Sequence, residues 1–284
     1  MGIATEILAD WDAALAALEW QLDCGADETL AEAPVDRYAL AQADATRRAE
    51  APERPAAPPP GAAAPSAAMP PSAAPPHEPP PGPDPVAEAR AAAARAHTLE
   101  DLREAVHRFD LCELKKGARN TVFADGNPKA RVLILGEGPG REEDLEGRPF
   151  VGRAGQLLDR MFAAIGLSRS APDPERALYI TNVVFWRPPG NRDPEPAEIA
   201  MMKPFIDRHI ALVDPEVVVA MGNTPLFALT GQRGIMRARG IWRQTHGRPL
   251  LPMAHPAYLL RNPSAKRESW ADLLALQAHL RAPK

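Results

Sequence analysis

Three short runs rich in β-branched residues, ARVLILG, ALYITNVVF and EVVVAMG, are each followed by a helical pattern, and this alternation constrains the fold more than any other feature of the chain. The helices between and after them read GQLLDRMFAAIG, PAEIAMMKPFIDRHIALV and TPLFALTG. Strands that alternate with helices build a largely parallel sheet covered on both faces. A last strand-like region, GIWRQTHGRPLLPMAH, precedes a closing helix, SAKRESWADLLALQAHL. One helix through EARAAAARAHTLEDLREAVHRF leads into the body, so residues 86–284 form one α/β domain.

The sequence upstream is of another kind. Residues 51–85 hold 15 of the 33 prolines and almost no large apolar side chain, so they cannot bury enough surface to offset their ordering entropy. An extended linker is expected there. Before it, residues 1–50 carry Ile3, Ile7, Trp11, Ala14, Leu18 and Leu22 at helical spacing, an acidic amphipathic helix suited to docking on a partner or on its own domain. Residues 1–85 contain 4 basic and 14 acidic side chains, whereas 86–284 contain 29 basic and 23 acidic. This asymmetry hides behind a net charge of −4 and points to an anionic partner for the C-terminal part, nucleic acid first. Two cysteines, Cys24 and Cys112, are too few for a disulfide framework, and no apolar run approaches the length of a membrane helix. A reduced, cytoplasmic protein without membrane contact is expected.

In an open α/β sheet, ligands bind beyond the carboxyl ends of the strands. Three loop-forming segments converge there: GEGPGREEDLEGRPFVGRAG after the first strand, TNVVFWRPPGNR off the second, and HPAYLLRNPSAKR after the last. The first is no phosphate loop. It lacks Gly-Lys-Ser/Thr, its glycines do not complete G-x-G-x-x-G, and Glu142, Glu143 and Asp144 would repel a polyphosphate.

With VVVAMGNTP between them, these blocks resemble, in order and spacing, the family 4 type of uracil-DNA glycosylase, over Leu102 to Leu280. The resemblance implies a three-layer α/β/α body around a central four-stranded, mainly parallel sheet. It implies an enzyme that hydrolyses the N-glycosidic bond of uracil in DNA and leaves an abasic site, for base excision repair. Such an enzyme flips the base into a pocket and reads its Watson–Crick edge. Phe150 matches the family's stacking platform. Asn182 matches the carboxamide that meets uracil O4 and N3–H, although an Asn capping a turn is the plainer reading. His255, in HPAYLL, matches the histidine over uracil O2, where a donor stabilises the leaving anion. Glu137 would stabilise the sugar cation or position the attacking water, and the N–H groups of Glu137 and Gly138 are candidate contacts for O2. Gly140 and Glu143 are expected to help exclude the thymine methyl. Arg187, Asn191, Arg192, Ser264 and Lys266 are placed to contact phosphates. Leu259, Leu260 and Arg261 resemble the wedge that fills the gap left by a flipped base; a core pair is the alternative for the two leucines. His246 matches nothing and reads as structural.

The chain departs from the family at the iron–sulfur ligands. The four positions are occupied by Phe109, Cys112, Trp186 and Met202, and one thiolate cannot hold a cluster that needs about four. No iron–sulfur cluster and no other metal is expected; large apolar groups would fill its volume. The first two motifs offer no lysine for a Schiff base, and EEDLEGRPFVG holds no histidine to trap the product, so a monofunctional glycosylase is expected. A monomer is expected, with uracil-containing DNA as partner and a protein partner for residues 1–50. The competing reading is a catalytically weak uracil- or DNA-binding module that recruits a replication or repair partner through that N-terminal segment.

Overall fold

The computed structural model describes residues 84–282. The expected N-terminal helix and nearly all of the proline-rich linker lie outside the described residues. The elements are α1 (Pro85–Arg95), α2 (Leu99–Arg108), α3 (Leu114–Gly117), β1 (Ala124–Gly126), β2 (Val132–Gly136), α4 (Arg141–Glu146), α5 (Arg153–Ala163), β3 (Leu178–Asn182), α6 (Pro196–Val213), β4 (Val217–Met221), α7 (Asn223–Thr230), α8 (Ile235–Ala238), β5 (Arg243–Thr245), β6 (Arg248–Met253), α9 (Pro256–Arg261) and α10 (Lys266–Arg281).

The strands form one sheet in the order β1-β3-β2-β4-β6-β5. β3, β2, β4 and β6 run parallel, the four central strands expected. Short antiparallel strands close the two edges, β1 beside β3 and β5 beside β6, so the sheet has six strands. The strand-like region after Gly240 is a hairpin, with His246 at its turn (φ 49°).

Every residue of β2, β3 and β4 is buried, because helices cover both faces. The period of two sorts their side chains into two layers. Leu133, Leu135, Tyr179 and Val218 join Leu102 and Val106 of α2 and Phe205, Ile206 and Ile210 of α6. Val132, Ile134, Ile180 and Val219 join Leu158 and Phe162 of α5 and Leu273 and Leu276 of α10. Each such side chain, fully buried, contributes about 1.5–3 kcal/mol of transfer free energy. The result is the three-layer α/β/α body.

The entry segment is two helices and not one. Thr98 Oγ1 accepts from Asp101 N at 3.0 Å while Asp101 Oδ2 accepts from Thr98 N at 3.0 Å, a reciprocal cap that starts α2 afresh. No helix among the described residues is long and apolar enough to cross a membrane.

Candidate active site

The parallel strands end together at Gly136, Asn182, Met221 and Met253, and the residues that follow them build one site. Gly136 pairs in register with Asn182, which sets the loop after β2 beside the end of β3. A Cβ at Gly136 would collide with both Asn182 Oδ1 and the Phe150 ring, so only glycine lets these two groups approach across it. Asn182 is 1% exposed, and its Oδ1 has no hydrogen-bond partner among the described residues. An acceptor buried this way costs free energy until a donor reaches it.

Phe150 has φ 54°, a left-handed conformation that a bulky side chain adopts only when its surroundings enforce it. Arg169 enforces it: the guanidinium donates to Pro149 O at 2.8 Å and to Phe150 O at 2.9 Å. Asp125 and Asp159 hold that guanidinium in turn, at 3.1 and 2.9 Å. Gly155 completes the clamp, because a Cβ there would collide with the Phe150 carbonyl. The ring lies 5.5 Å from that of His255, nearly parallel at 29°.

His255 is the N-cap of α9, and its Nδ1 accepts from Ala257 N at 3.2 Å. That contact leaves the proton of a neutral imidazole on Nε2. Desolvation, with the positive charge of Arg261 adding to it, lowers the His255 pKa to about 4, so the ring is a neutral donor at physiological pH.

Glu137 turns toward the start of α7, where Thr224 N donates to its Oε1 at 3.4 Å. Burial raises its pKa, and the hydrogen bonds from Thr224 and Asn223 work against that rise. Gly222, at φ 112°, leaves the room this carboxylate occupies.

Other expected residues are placed differently. Glu143 is buried and accepts from Gly140 N at 3.1 Å, Val151 N at 2.9 Å and Gly152 N at 3.0 Å. Its two oxygens are engaged with the backbone on either side of Phe150, so it closes the loop. Gly140 allows that approach, since a Cβ there would crowd Glu143 Oε2 at 2.7 Å. Gly138, half-exposed, lies where a Cβ would crowd Val184 at 2.6 Å. Leu259 is fully buried with Leu157 and Ala254, so it is core and not wedge; Leu260 is half-buried and Arg261 exposed. Arg192 is held by Glu198 at 2.7 and 2.9 Å and by Glu195 at 3.4 Å, at the start of α6. Arg187 Nε donates to Asn191 Oδ1 at 2.7 Å, and Ser264 and Lys266 are exposed. Arg169, which holds the backbone at Phe150, is a residue that sequence reasoning did not single out.

The four positions that match cluster ligands, three of them without a cysteine, lie in one apolar layer on the α2–α6 side. Phe109 meets Phe205 edge-on at 5.3 Å, Met202 and Cys112 are fully buried, and Trp186 Nε1 donates to Thr121 Oγ1 at 3.0 Å. Burial pushes the Cys112 thiol pKa up. No group of three or more His, Cys, Asp or Glu placed to hold a metal occurs among the described residues. These side chains do not fit a cluster held by about four thiolates.

Residues 123–274 match the family described as the uracil DNA glycosylase superfamily. The type-4 uracil-DNA glycosylase of Thermotoga maritima is 41% identical over 175 residues, 60% of this chain and 87% of that protein. The type-4 enzyme of Sulfurisphaera tokodaii is 36% identical over 197 residues, 66% of this chain and 87% of the relative. That of Archaeoglobus fulgidus is 36% identical over 185 residues, 62% and 89% of the two chains.

Proposed function

Since the chain belongs to the uracil DNA glycosylase superfamily, we propose that it excises uracil from DNA by hydrolysing the N-glycosidic bond, leaving an abasic site. The observation that carries this reading is the buried, unpartnered Asn182 Oδ1 beside the Phe150 ring and the neutral His255 donor. A flipped uracil stacks on Phe150. Its N3–H donates to Asn182 Oδ1, and its O4 accepts from Asn182 Nδ2. Cytosine presents the opposite pattern at both atoms and is refused.

The bond from C1′ to N1 breaks with its electron pair passing to the base, so negative charge grows at O2. His255 Nε2–H donates to that oxygen and lowers the barrier without giving up its proton. Glu137, held at the start of α7, places a carboxylate near the sugar cation and orients the water that adds to C1′, and the proton this water loses neutralises the departing uracil anion. The first two motifs hold no lysine to form a Schiff base, so the strand stays uncut until alkali is added. Leu260 and Arg261 fill the gap in the stack, while Arg187, Asn191, Ser264 and Lys266 meet phosphates. Gly138 and Gly140 let the backbone approach the base.

The apolar layer around Phe109, Trp186 and Met202 takes over the structural task of a cluster, and the enzyme works without cofactor as a monomer in a reducing cytoplasm. A protein partner for residues 1–50 belongs to the same reading. The test is chemical. Incubation with a uracil-containing oligonucleotide should release free uracil and yield a strand that breaks only in alkali. A strand that resists alkali, or breaks without it, contradicts the reading.

A further inference from the structure

Three half-buried arginines are committed to carboxylates: Arg131 to Glu216 and Glu175, Arg169 to Asp125 and Asp159, Arg239 to Asp272 and Glu268. Five cations on one side are not. Arg153 and Arg160 of α5, Arg261 at the end of α9, and Lys266 and Arg267 at the start of α10 are exposed, with no ion pair among the described residues.

Helical phase gathers them. Leu157 follows Arg153 by four positions and precedes Arg160 by three, so the three share one stripe of α5. Leu157 packs with Ala254 and Leu259, and Leu260 and Ala265 border the same cluster. The two arginines therefore flank the place where α9 lies on α5 and the chain turns into α10. On α10, Lys266 and Trp270 stand one turn apart on one stripe. Gln277, two turns further along that stripe, donates to Ile165 O at 3.1 Å just beyond α5, so the stripe lies on the α5 side. Trp270 is 43% exposed and has no aromatic or cation partner among the described residues.

Unpaired cations beside an open indole suit an unpaired nucleic-acid strand, whose phosphates meet the cations and whose bases stack on the aromatic face. The face is continuous with the site: α9 carries His255 at its head and Arg261 at its foot. We propose that Arg153, Arg160, Lys266, Arg267 and Trp270 form a track for the single strand flanking the flipped nucleotide, with Arg261 at its junction with the site and one base stacked on Trp270. This rests on the glycosylase reading only for the identity of the ligand. A duplex uses the cations but not the indole, because its bases are already stacked.

Anisotropy with a labelled uracil-free oligonucleotide, single-stranded or duplex, reads binding without chemistry. Trp270→Ala should weaken single-strand binding at least about fivefold, the lower end for loss of one base–aromatic stack, and leave duplex binding unaltered. Arg153→Ala with Arg160→Ala should reduce the slope of log affinity against log salt by about 1.4, about 0.7 for each lost phosphate contact to a single strand. Unchanged thermal midpoints establish that the variants fold. Wild-type affinity and salt slope in both variants overturn the track, and an equal loss on duplex overturns the stacked base. A wild-type protein that releases no uracil, beside variants that lose single-strand binding, defeats the glycosylase reading and leaves the track standing.

Discussion

At the scale of single residues, the site depends on groups held where isolated side chains would not stay. Phe150 keeps its left-handed backbone because Arg169 grips the two carbonyls at 149 and 150. Arg169→Ala should raise KM for uracil-containing DNA more than it lowers kcat at saturation, with a stability loss of about 1–3 kcal/mol from the unpaired carbonyls; an unchanged KM would remove Arg169 from the account. His255 stays neutral because burial depresses its pKa to about 4. A ring-nitrogen NMR titration should find it uncharged at about pH 5.5, where an ordinary imidazole near 6.5 is mostly protonated. Phe150, Asn182 and His255 were singled out in the sequence by the motifs that carry the family resemblance; Asn182 ends β3 and His255 follows β6 by two positions, at the strand ends where ligands collect. Arg169 was not, since its role is set by carbonyls about twenty positions away and no motif marks it. For Glu143 the partners were not legible either: residue type and position do not say which way a carboxylate turns, and this one turns to its own backbone. Leu259 and Leu260 are neighbours with opposite fates, and only the phase of α9 separates core from surface.

At the scale of elements, the strand–helix alternation was read directly, because buried strands and amphipathic helices have distinct patterns. The division between α1 and α2 was missed although Thr98 and Asp101 carry its capping signal; an alanine-rich stretch on one side masked it. The edge strands β1 and β5 are three residues each, too short for any periodicity to show. The packing of α6 on β3 buries a histidine that the chemistry does not use. His209 is fully buried, stacked on Phe123 at 4.6 Å, with Nε2 2.7 Å from the Tyr179 hydroxyl. Desolvation lowers its pKa to about 3. The unfolded chain, with an imidazole near 6.5, therefore binds a proton that the folded chain refuses, and stability present above that pH is lost as pH falls toward 3. Urea unfolding should show a loss of about 2 kcal/mol from this group between about pH 7 and pH 5, at about 1.4 kcal/mol per pH unit below 6.5. His209→Leu should be less stable at neutral pH, yet lack that part of the slope; an identical slope would mean His209 titrates normally.

At the scale of the whole molecule, the resemblance was legible because four motifs recur in order. Apolar volume at the cluster positions was an expectation from the sequence; the polar tie within it was not legible from spacing. Phe109, Trp186 and Met202 fill one side of the sheet with apolar volume, and Trp186 ties that volume to Thr121 through its indole N–H. Protein prepared without oxygen should therefore carry no stoichiometric iron and keep its unfolding midpoint in the presence of a chelator; iron near four atoms per chain would reverse this. The central claim is that one pocket, read by Asn182 and discharged by His255, breaks the bond to uracil. Single-turnover excision at saturating DNA tests it most directly. Asn182→Ala and His255→Ala should each fall about 10²–10³-fold below wild type, as loss of one preorganised donor does. Two variants that keep wild-type rates would contradict it.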